Sequence, residues 1–310
     1  MRAIVTEDFG APPQLAELDR PEAGPGEVRV RVLASSLNGF DLAMAAGYLR
    51  AFMEHSFPAV LGRDFAGVVD QIGDGVTAYA PGDEVFGVIL TQPLRHGGFA
   101  EHLVVPEGHT FTRVPAGLSP SRAGILGLAG SAAVTAVDRL ALRSGEQVLI
   151  SGATGGVGAV AMQLAVAAGV SVVATAAPGA ESEHVRALGA AAVVDRTGDL
   201  TAQVRALAPE GVDAVLHLAG DPAVLADLVA PGGRLASLLI VDPEEFAGRP
   251  IAVHQVVADP RPDVLDRLAA DVLGGALRMP VQHTYALDEV PKAFGDFAAG
   301  TLGKLAVRID

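Results

Sequence analysis

Between residues 148 and 159 the chain leaves one apolar run and enters another through four closely spaced glycines. Val148, Leu149 and Ile150 suit a buried parallel strand, and the apolar stretch from Ala159 to Ala168 suits a helix. Gly152, Gly155, Gly156 and Gly158 keep the turn between them nearly free of side chains. A strand, a tight turn and a helix in this order set free N–H groups at a positive helix end, which is where a pyrophosphate binds. Ala153, Gly155 and Gly158 fall on the three glycine positions of the dinucleotide fingerprint, so its first glycine is an alanine. A ligand-free turn satisfies the same pattern, so the argument depends on what surrounds it.

Beyond the turn, strand-like and helix-like segments alternate. The pattern predicts strands at Val170–Thr175, Ala191–Val194, Ala214–Leu218, Arg234–Ile240 and Ile251–Val257, with helices at Glu181–Leu188 and Pro222–Leu228. Pro231, Gly232 and Gly233 are read as the end of the second of these helices. Such alternation means a parallel sheet with helices on both faces. Before residue 118 the chain is different: short β-rich pieces at Arg2–Thr6, Glu27–Ala34, Phe65–Ile72, Asp83–Leu90 and Ala100–Val105 alternate with glycine turns. After a helix over Pro262–Leu273 the tail returns to short strands, Gln282–Ala286 and Lys304–Ile309. The expected α/β fold thus has a discontinuous β-rich domain, 1–118 with 275–310, and an inserted doubly wound domain, 119–274. A chain of 310 residues exceeds the usual size of one core, which agrees.

A net charge of −14 and the lack of any Lys/Arg cluster argue against duplex nucleic acid and anionic membrane as partners. The most apolar stretch, Val157–Thr175, is rich in glycine and alanine and reads as a helix plus a strand, not as a membrane span. The N-terminus carries no secretory apolar core, from which a cytoplasmic location is expected. There is no cysteine, so disulfides and thiolate zinc sites are excluded.

Several blocks occur in a familiar order: Asn38-Gly39-Phe40-Asp41, Pro58 to Gly67, Pro81 to Gly87, Gly98-Phe99-Ala100-Glu101, Gly152 to Gly158, Pro231 to Leu235, and Gly303-Lys304-Leu305. Together they resemble the zinc-free medium-chain dehydrogenase/reductases of the quinone oxidoreductase, or zeta-crystallin-like, group. The resemblance implies a GroES-like catalytic domain, a Rossmann NADP(H)-binding domain, NADPH as cofactor and a homodimer, often with the sixth strands extending the sheet. It also implies a small-molecule quinone or α,β-unsaturated carbonyl as substrate.

Zinc-dependent members need a cysteine and a Gly-His-Glu motif in the first domain. Here the corresponding segments hold Ser36-Leu37-Asn38 and Gly62-Arg63-Asp64. Arginine cannot ligate zinc, and His55, His96 and His102 fit no ligand spacing, so no metal is expected. Arg63 and Asp64 read as a structural ion pair or turn. Without a strong Lewis acid, the surviving chemistry is hydride delivery to an already electron-poor acceptor. By resemblance Asn38 lies at the substrate and nicotinamide end, able to donate to a carbonyl or to the nicotinamide ribose. Tyr48 is a candidate hydrogen-bond or proton donor, and Asp41 a residue that orients a neighbour.

The remaining cofactor residues also come from the resemblance. Gly155, Gly156, Val157 and Gly158 face the pyrophosphate, and Thr135 the nicotinamide. Leu218 and Ala219 flank the adenosine ribose and diphosphate. Leu239, Ile240 and Val256 end the fifth and sixth strands near the carboxamide. His217 reads as structural. At the end of the second strand, Thr175 and Ala176 are followed by no carboxylate before Glu181, where an NAD enzyme places an acid on the ribose 2′-hydroxyl. That absence favours NADPH, with Arg196 as the candidate for a bidentate phosphate contact. Two other readings stay open: an enoyl reductase acting on carrier- or CoA-linked acyl chains, and an NADPH-binding protein without catalysis.

Overall fold

The computed structural model describes residues 1–93 and 95–309. Among them the strands form three sheets, distributed over two compact units: Met1–Ser131 with Pro260–Asp310, and Ala132–Asp259.

The first unit opens with β1 (Arg2–Thr6), β2 (Gln14–Glu17), β3 (Glu27–Ser36), α1 (Gly39–Ala45), β4 (Ala59–Val60), β5 (Asp64–Ile72), β6 (Glu84–Val88), β7 (His102–Pro106), β8 (Phe111–Arg113) and α2 (Pro120–Ala123). β1 pairs antiparallel with β2 and β4 in a small sheet. β3 is the hub of the larger one, antiparallel to both β5 and β7. Period-two alternation sends Val28, Val30 and Val32 of β3 into a core with Phe65, Val85, Leu103 and Phe111.

Helix α3 (Gly127–Leu140) leads into the second unit: β9 (Gln147–Ser151), α4 (Gly156–Ala167), β10 (Ser171–Ala176), α5 (Ala180–Ala187), β11 (Ala192–Asp195), α6 (Leu200–Leu207), β12 (Val212–His217), α7 (Pro222–Ala226), β13 (Val229–Ser237) and β14 (Ala252–Gln255). These strands are all parallel, in the order β11-β10-β9-β12-β13-β14. Counted within the unit, that is 3-2-1-4-5-6, the doubly wound order, with its switch point between β9 and β12. Helices cover both faces of such a sheet, so its strands are continuous apolar runs; Val172, Val173 and Ala174 are all fully buried.

The chain then returns through α8 (Pro262–Leu273), β15 (Val281–Ala286), α9 (Val290–Ala298) and β16 (Lys304–Arg308). β16 lies antiparallel to β3, with Ala306 opposite Ser36, and β15 lies parallel to β16. The first unit is therefore discontinuous. Its edges fall at 131/132 and 259/260, against the 118 and 274 read from the sequence; α8 falls in this unit because it packs on β8.

One strand departs from the sequence reading. The fifth strand of the second unit spans Val229–Ser237, not Arg234–Ile240. Pro231, Gly232 and Gly233 lie inside it, at a register shift where Val229 pairs with Val212 but Arg234 with Ala214. A proline without an N–H and two glycines mark an irregularity in the ladder there, not the end of a helix. Leu239 and Ile240 consequently lie past the strand, exposed.

Candidate active site

In the second unit β9 ends at Ser151 and α4 begins at Gly156. The left-handed backbone residue of the turn is Gly152, at φ 78°. That explains why alanine is tolerated at the fingerprint's first position: Ala153 follows the residue that must be glycine. Gly158 is required for closeness. A Cβ there would stand 2.6 Å from the Gly152 carbonyl oxygen and 2.7 Å from the Ala153 Cα. Gly155 is the N-cap of α4, and no side chain accepts from the first turn. The amides around Gly156 and Val157 thus face outward at the positive end of a twelve-residue helix, the arrangement an anionic diphosphate needs.

Neighbouring residues brace this turn. The Thr175 hydroxyl accepts from the Gly152 N–H at 3.1 Å, so Thr175 supports the turn from beneath and is itself buried. Leu218 and Ala219, just beyond β12, come against Gly152, and the Ser151 hydroxyl donates to the Ala219 carbonyl. His217 is buried between the Ser237 hydroxyl (2.9 Å) and the Gly220 carbonyl (3.2 Å), and burial holds its pKa below the usual histidine value. It is structural, as its sequence context suggests. Thr135 and Val256 line a separate cavity of about 600 Å³ with Gln255 and Val257, and the Thr135 hydroxyl accepts from the Asp259 N–H.

The end of β10 holds a correction to the sequence reading. Arg196 follows β11, and its N–H donates to the Ala176 carbonyl, which places it beside the end of β10. Its guanidinium is bound by Glu181: Nε to Oε2 at 2.8 Å and NH2 to Oε1 at 2.7 Å. Glu181 Oε2 also accepts from the Ala177 N–H at 2.7 Å. The strand end therefore does carry a carboxylate. Sequence distance hid it, because the first turn of α5 folds back onto β10.

In the first unit Asn38 caps α1. The Asp41 carboxylate accepts from the Asn38 N–H at 2.9 Å, as an acidic third helical residue does in a capping box. The Asn38 side chain turns the other way. Its Oδ1 accepts from Lys304 Nζ at 2.6 Å, and its Nδ2 donates to Asp64 Oδ2 at 2.9 Å and to the Ser36 carbonyl at 3.3 Å. Both amide protons are engaged inward, so the geometry does not offer Asn38 as a donor to a carbonyl; it is a fixed point of the site. Tyr48 contrasts with it: the side chain is 73% exposed, and among the described residues its hydroxyl has no partner.

Asn38 belongs to a buried polar cluster that the sequence reading did not assemble. Lys304 Nζ also donates to the Leu37 carbonyl (2.8 Å) and approaches Asp64 Oδ2 at 3.3 Å. Asp64 further accepts from the Ser36 hydroxyl and, through Oδ1, from the Leu128 N–H in the first turn of α3 at 2.6 Å. Of the structural ion pair or turn read from the sequence, the ion pair between Arg63 and Asp64 is not formed, and Arg63 lies in a bend before β5. Arg63 reaches instead the Met44 sulfur, the Ile89 carbonyl and the face of Phe40. Sequence offered one signal for this cluster: Asp64 and Lys304 are charged residues that each open a strand and run directly into apolar residues, Phe65-Ala66 and Leu305-Ala306-Val307. Among the described residues no three His, Asp or Glu side chains gather as a metal-ligand set.

Burial pushes the Asp41 carboxyl up to about 7, against the opposing pull of Arg63, and burial pushes Arg63 down to about 10. A carboxyl whose folded pKa exceeds its unfolded value stabilises fully below the unfolded value and loses that contribution as pH rises through the folded one. For Asp41 the window runs from 3.8 to about 7. Asp41→Asn, which keeps an acceptor for the Asn38 N–H, removes this titration. The denaturation midpoint of the wild type minus that of the variant should fall as pH rises from 3.8 to about 7 and level off above that. A difference that stays constant would show that Asp41 is ionised throughout.

Two family models match the chain: the alcohol dehydrogenase GroES-like domain over residues 24–116, and a zinc-binding dehydrogenase model over residues 156–257. Together they match more than half of it. Among solved structures, a quinone oxidoreductase from Coxiella burnetii is similar at TM-score 0.89 and 26% identity, covering 100% of this chain and 99% of that one. An NAD-dependent alcohol dehydrogenase is similar at TM-score 0.86 and 29% identity, covering 100% of both chains. Curated relatives include a mycocerosic acid synthase-like polyketide synthase of Mycolicibacterium smegmatis, 36% identical over 73% of this chain. The spectinabilin polyketide synthase system protein NorB of Streptomyces orinoci is 35% identical over 93% of it. The chain spans only 10% and 13% of the length of those two proteins.

Proposed function

Because the chain belongs to the medium-chain dehydrogenase/reductase superfamily, we propose that it transfers hydride from NADPH to a quinone or an α,β-unsaturated carbonyl without zinc. The observation that carries this reading is the uncapped start of α4 at the switch point of the parallel sheet, with Gly158 packed against the turn before it. That cradle fits a dinucleotide diphosphate. The zinc of metal-dependent relatives has no fitting donors: Arg63 cannot ligate, and both Asp64 oxygens are engaged by Ser36, Asn38, Leu128 and Lys304.

In this reading the dinucleotide supplies the hydride when bound, and the chain binds and orients. The amides of Gly156 and Val157 hold the diphosphate, while Gly155 and Gly158 leave room for it. Leu218 and Ala219 flank the ribose. Thr135 and Val256 wall the nicotinamide side, with Leu239 and Ile240 beyond β13. Lys304 and Asp64 hold Asn38, and Asn38 with Asp41 fixes the start of α1 and so the segment leading to Tyr48. Tyr48 offers its hydroxyl to the acceptor oxygen, where negative charge gathers as hydride arrives at the conjugated system. A homodimer along β14, one of the two edge strands of the six-stranded sheet, belongs to the same reading.

The polyketide synthase relatives favour a second reading, reduction of the C=C bond of an enoyl group carried on a thioester. Stopped-flow oxidation of NADPH against quinones, enones, enals and enoyl thioesters separates the two. Turnover of quinones or free enones is expected, with no oxidation of simple alcohols by NADP⁺. Turnover confined to thioesters selects the second reading, and alcohol oxidation with every quinone and enone inert rejects both. On the preferred acceptor, Tyr48→Phe should lower kcat about a hundredfold, the cost of removing one donor from a developing oxyanion. An unchanged kcat would leave Tyr48 only a packing role.

A further inference from the structure

We propose that Glu181 determines coenzyme specificity by occupying Arg196, so that its carboxylate competes directly with a cofactor 2′-phosphate. The inference rests on the second unit being the NADPH site.

The end of the second strand of a doubly wound sheet is where the adenosine ribose is read. Two charged groups meet there. Arg196 is tied to the strand by its own N–H, which donates to Ala176. Glu181 is tied to the next residue, through the Ala177 N–H. The carboxylate takes Nε and one terminal nitrogen of the guanidinium in a two-pronged pair. A phosphate uses the same fork, because both anions present two oxygens in a plane that parallel N–H groups can match. A 2′-phosphate reaching Arg196 therefore meets a fork already filled and a negative charge in contact with it. Arg196 and the Ala177 N–H keep Glu181 ionised down to about 2, so the competitor is charged throughout the neutral range.

The pair is accessible. The side chain of Arg196 is 52% exposed and that of Glu181 25%. An exposed ion pair is a weak contact, so a phosphate displaces it at modest cost. Glu181 therefore weakens phosphate binding without forbidding it. The reverse also holds: while Arg196 holds both its oxygens, Glu181 is poorly placed to accept from a ribose 2′-hydroxyl. Each partner masks the other, and the wild type discriminates less between NADPH and NADH than either residue alone would. The other nearby carboxylate, Asp195, is turned onto the Thr197 N–H and hydroxyl at 2.8 and 2.7 Å.

The test titrates NADPH and NADH, by nicotinamide fluorescence, into the wild type, Glu181→Gln, Arg196→Ala and the double variant. Thermal shifts with adenosine 2′,5′-bisphosphate and with adenosine 5′-monophosphate give a second readout that needs no nicotinamide. Glu181→Gln should tighten NADPH about tenfold, one charge-assisted contact released, while NADH stays within about twofold. Arg196→Ala should weaken NADPH about tenfold and leave NADH unchanged or tighter. The double variant should lose the gain, because that gain runs through Arg196. A Glu181→Gln variant with an unaltered NADPH/NADH ratio, or with both weakened alike, overturns the competition while the NADPH reading stands. A gain that survives in the double variant overturns it too. A wild type that binds neither dinucleotide nor bisphosphate overturns the NADPH reading and this inference with it.

Discussion

Lys304→Met should destabilise the first unit by about 3–5 kcal/mol, the usual cost of removing one partner from a buried ion pair. Methionine matches the length and apolar stem of lysine, so the loss is the ammonium, not volume. Lys304 is only 3% exposed, and its Nζ meets the Leu37 carbonyl, Asn38 Oδ1 and Asp64 Oδ2. Without it a fully buried carboxylate keeps its neutral donors but loses the cation beside it. The Asn38 Oδ1 is orphaned as well, which frees the amide to turn. Denaturant midpoints measure the loss, and a Lys304→Met/Asp64→Asn double variant identifies its source. If the charge is what matters, the second substitution recovers a large part of the loss, because no unpaired ion remains. A loss under about 1 kcal/mol would class the pair with exposed ion pairs and would contradict its burial.

Gly158→Ala should abolish dinucleotide binding, with at least about a hundredfold weakening, and cost roughly 1–3 kcal/mol in stability, as overpacking of a tight contact does. The added carbon meets backbone atoms first: the Gly152 oxygen at 2.6 Å, and the Ala153 Cα and oxygen at 2.7 Å each. No side-chain rotation relieves such contacts, so α4 must move away from the turn. The amides of Gly156 and Val157 move with it. A Gly158→Ala protein that binds NADPH like the wild type would remove the α4 cradle from the proposed site.

Much of the fold is legible in the residues alone. The parallel βα alternation after β9 is readable because a strand buried on both faces is a short continuous apolar run and a helix is a longer one. The return of the tail to the first unit is readable because its strands resemble the opening ones in length and spacing. Pro231, Gly232 and Gly233 mislead because the same residues end a helix or interrupt a strand, and only the pairing of β13 with β12 selects between these. The site is legible in its glycines and much less so in its charges. A glycine's role follows from local backbone conformation and close approach, both of which leave a mark at the residue itself.

The amino-acid sequence by itself determined the two kinds of domain, the order of their elements, the glycine turn and the absence of thiolate metal chemistry. Each of these depends on residue type or on neighbours within a few positions. Only the tertiary structure decided which charges meet. Lys304 and Asp64 are 240 residues apart and join because β16 pairs with β3, which itself pairs with β5. Glu181 and Arg196 are 15 residues apart and join because β10 and β11 run parallel with Ala176 beside Asp195. A charge on one strand carries no local record of its partner on another. Strand order and register supply that partner, and these are set by the burial of the whole sheet.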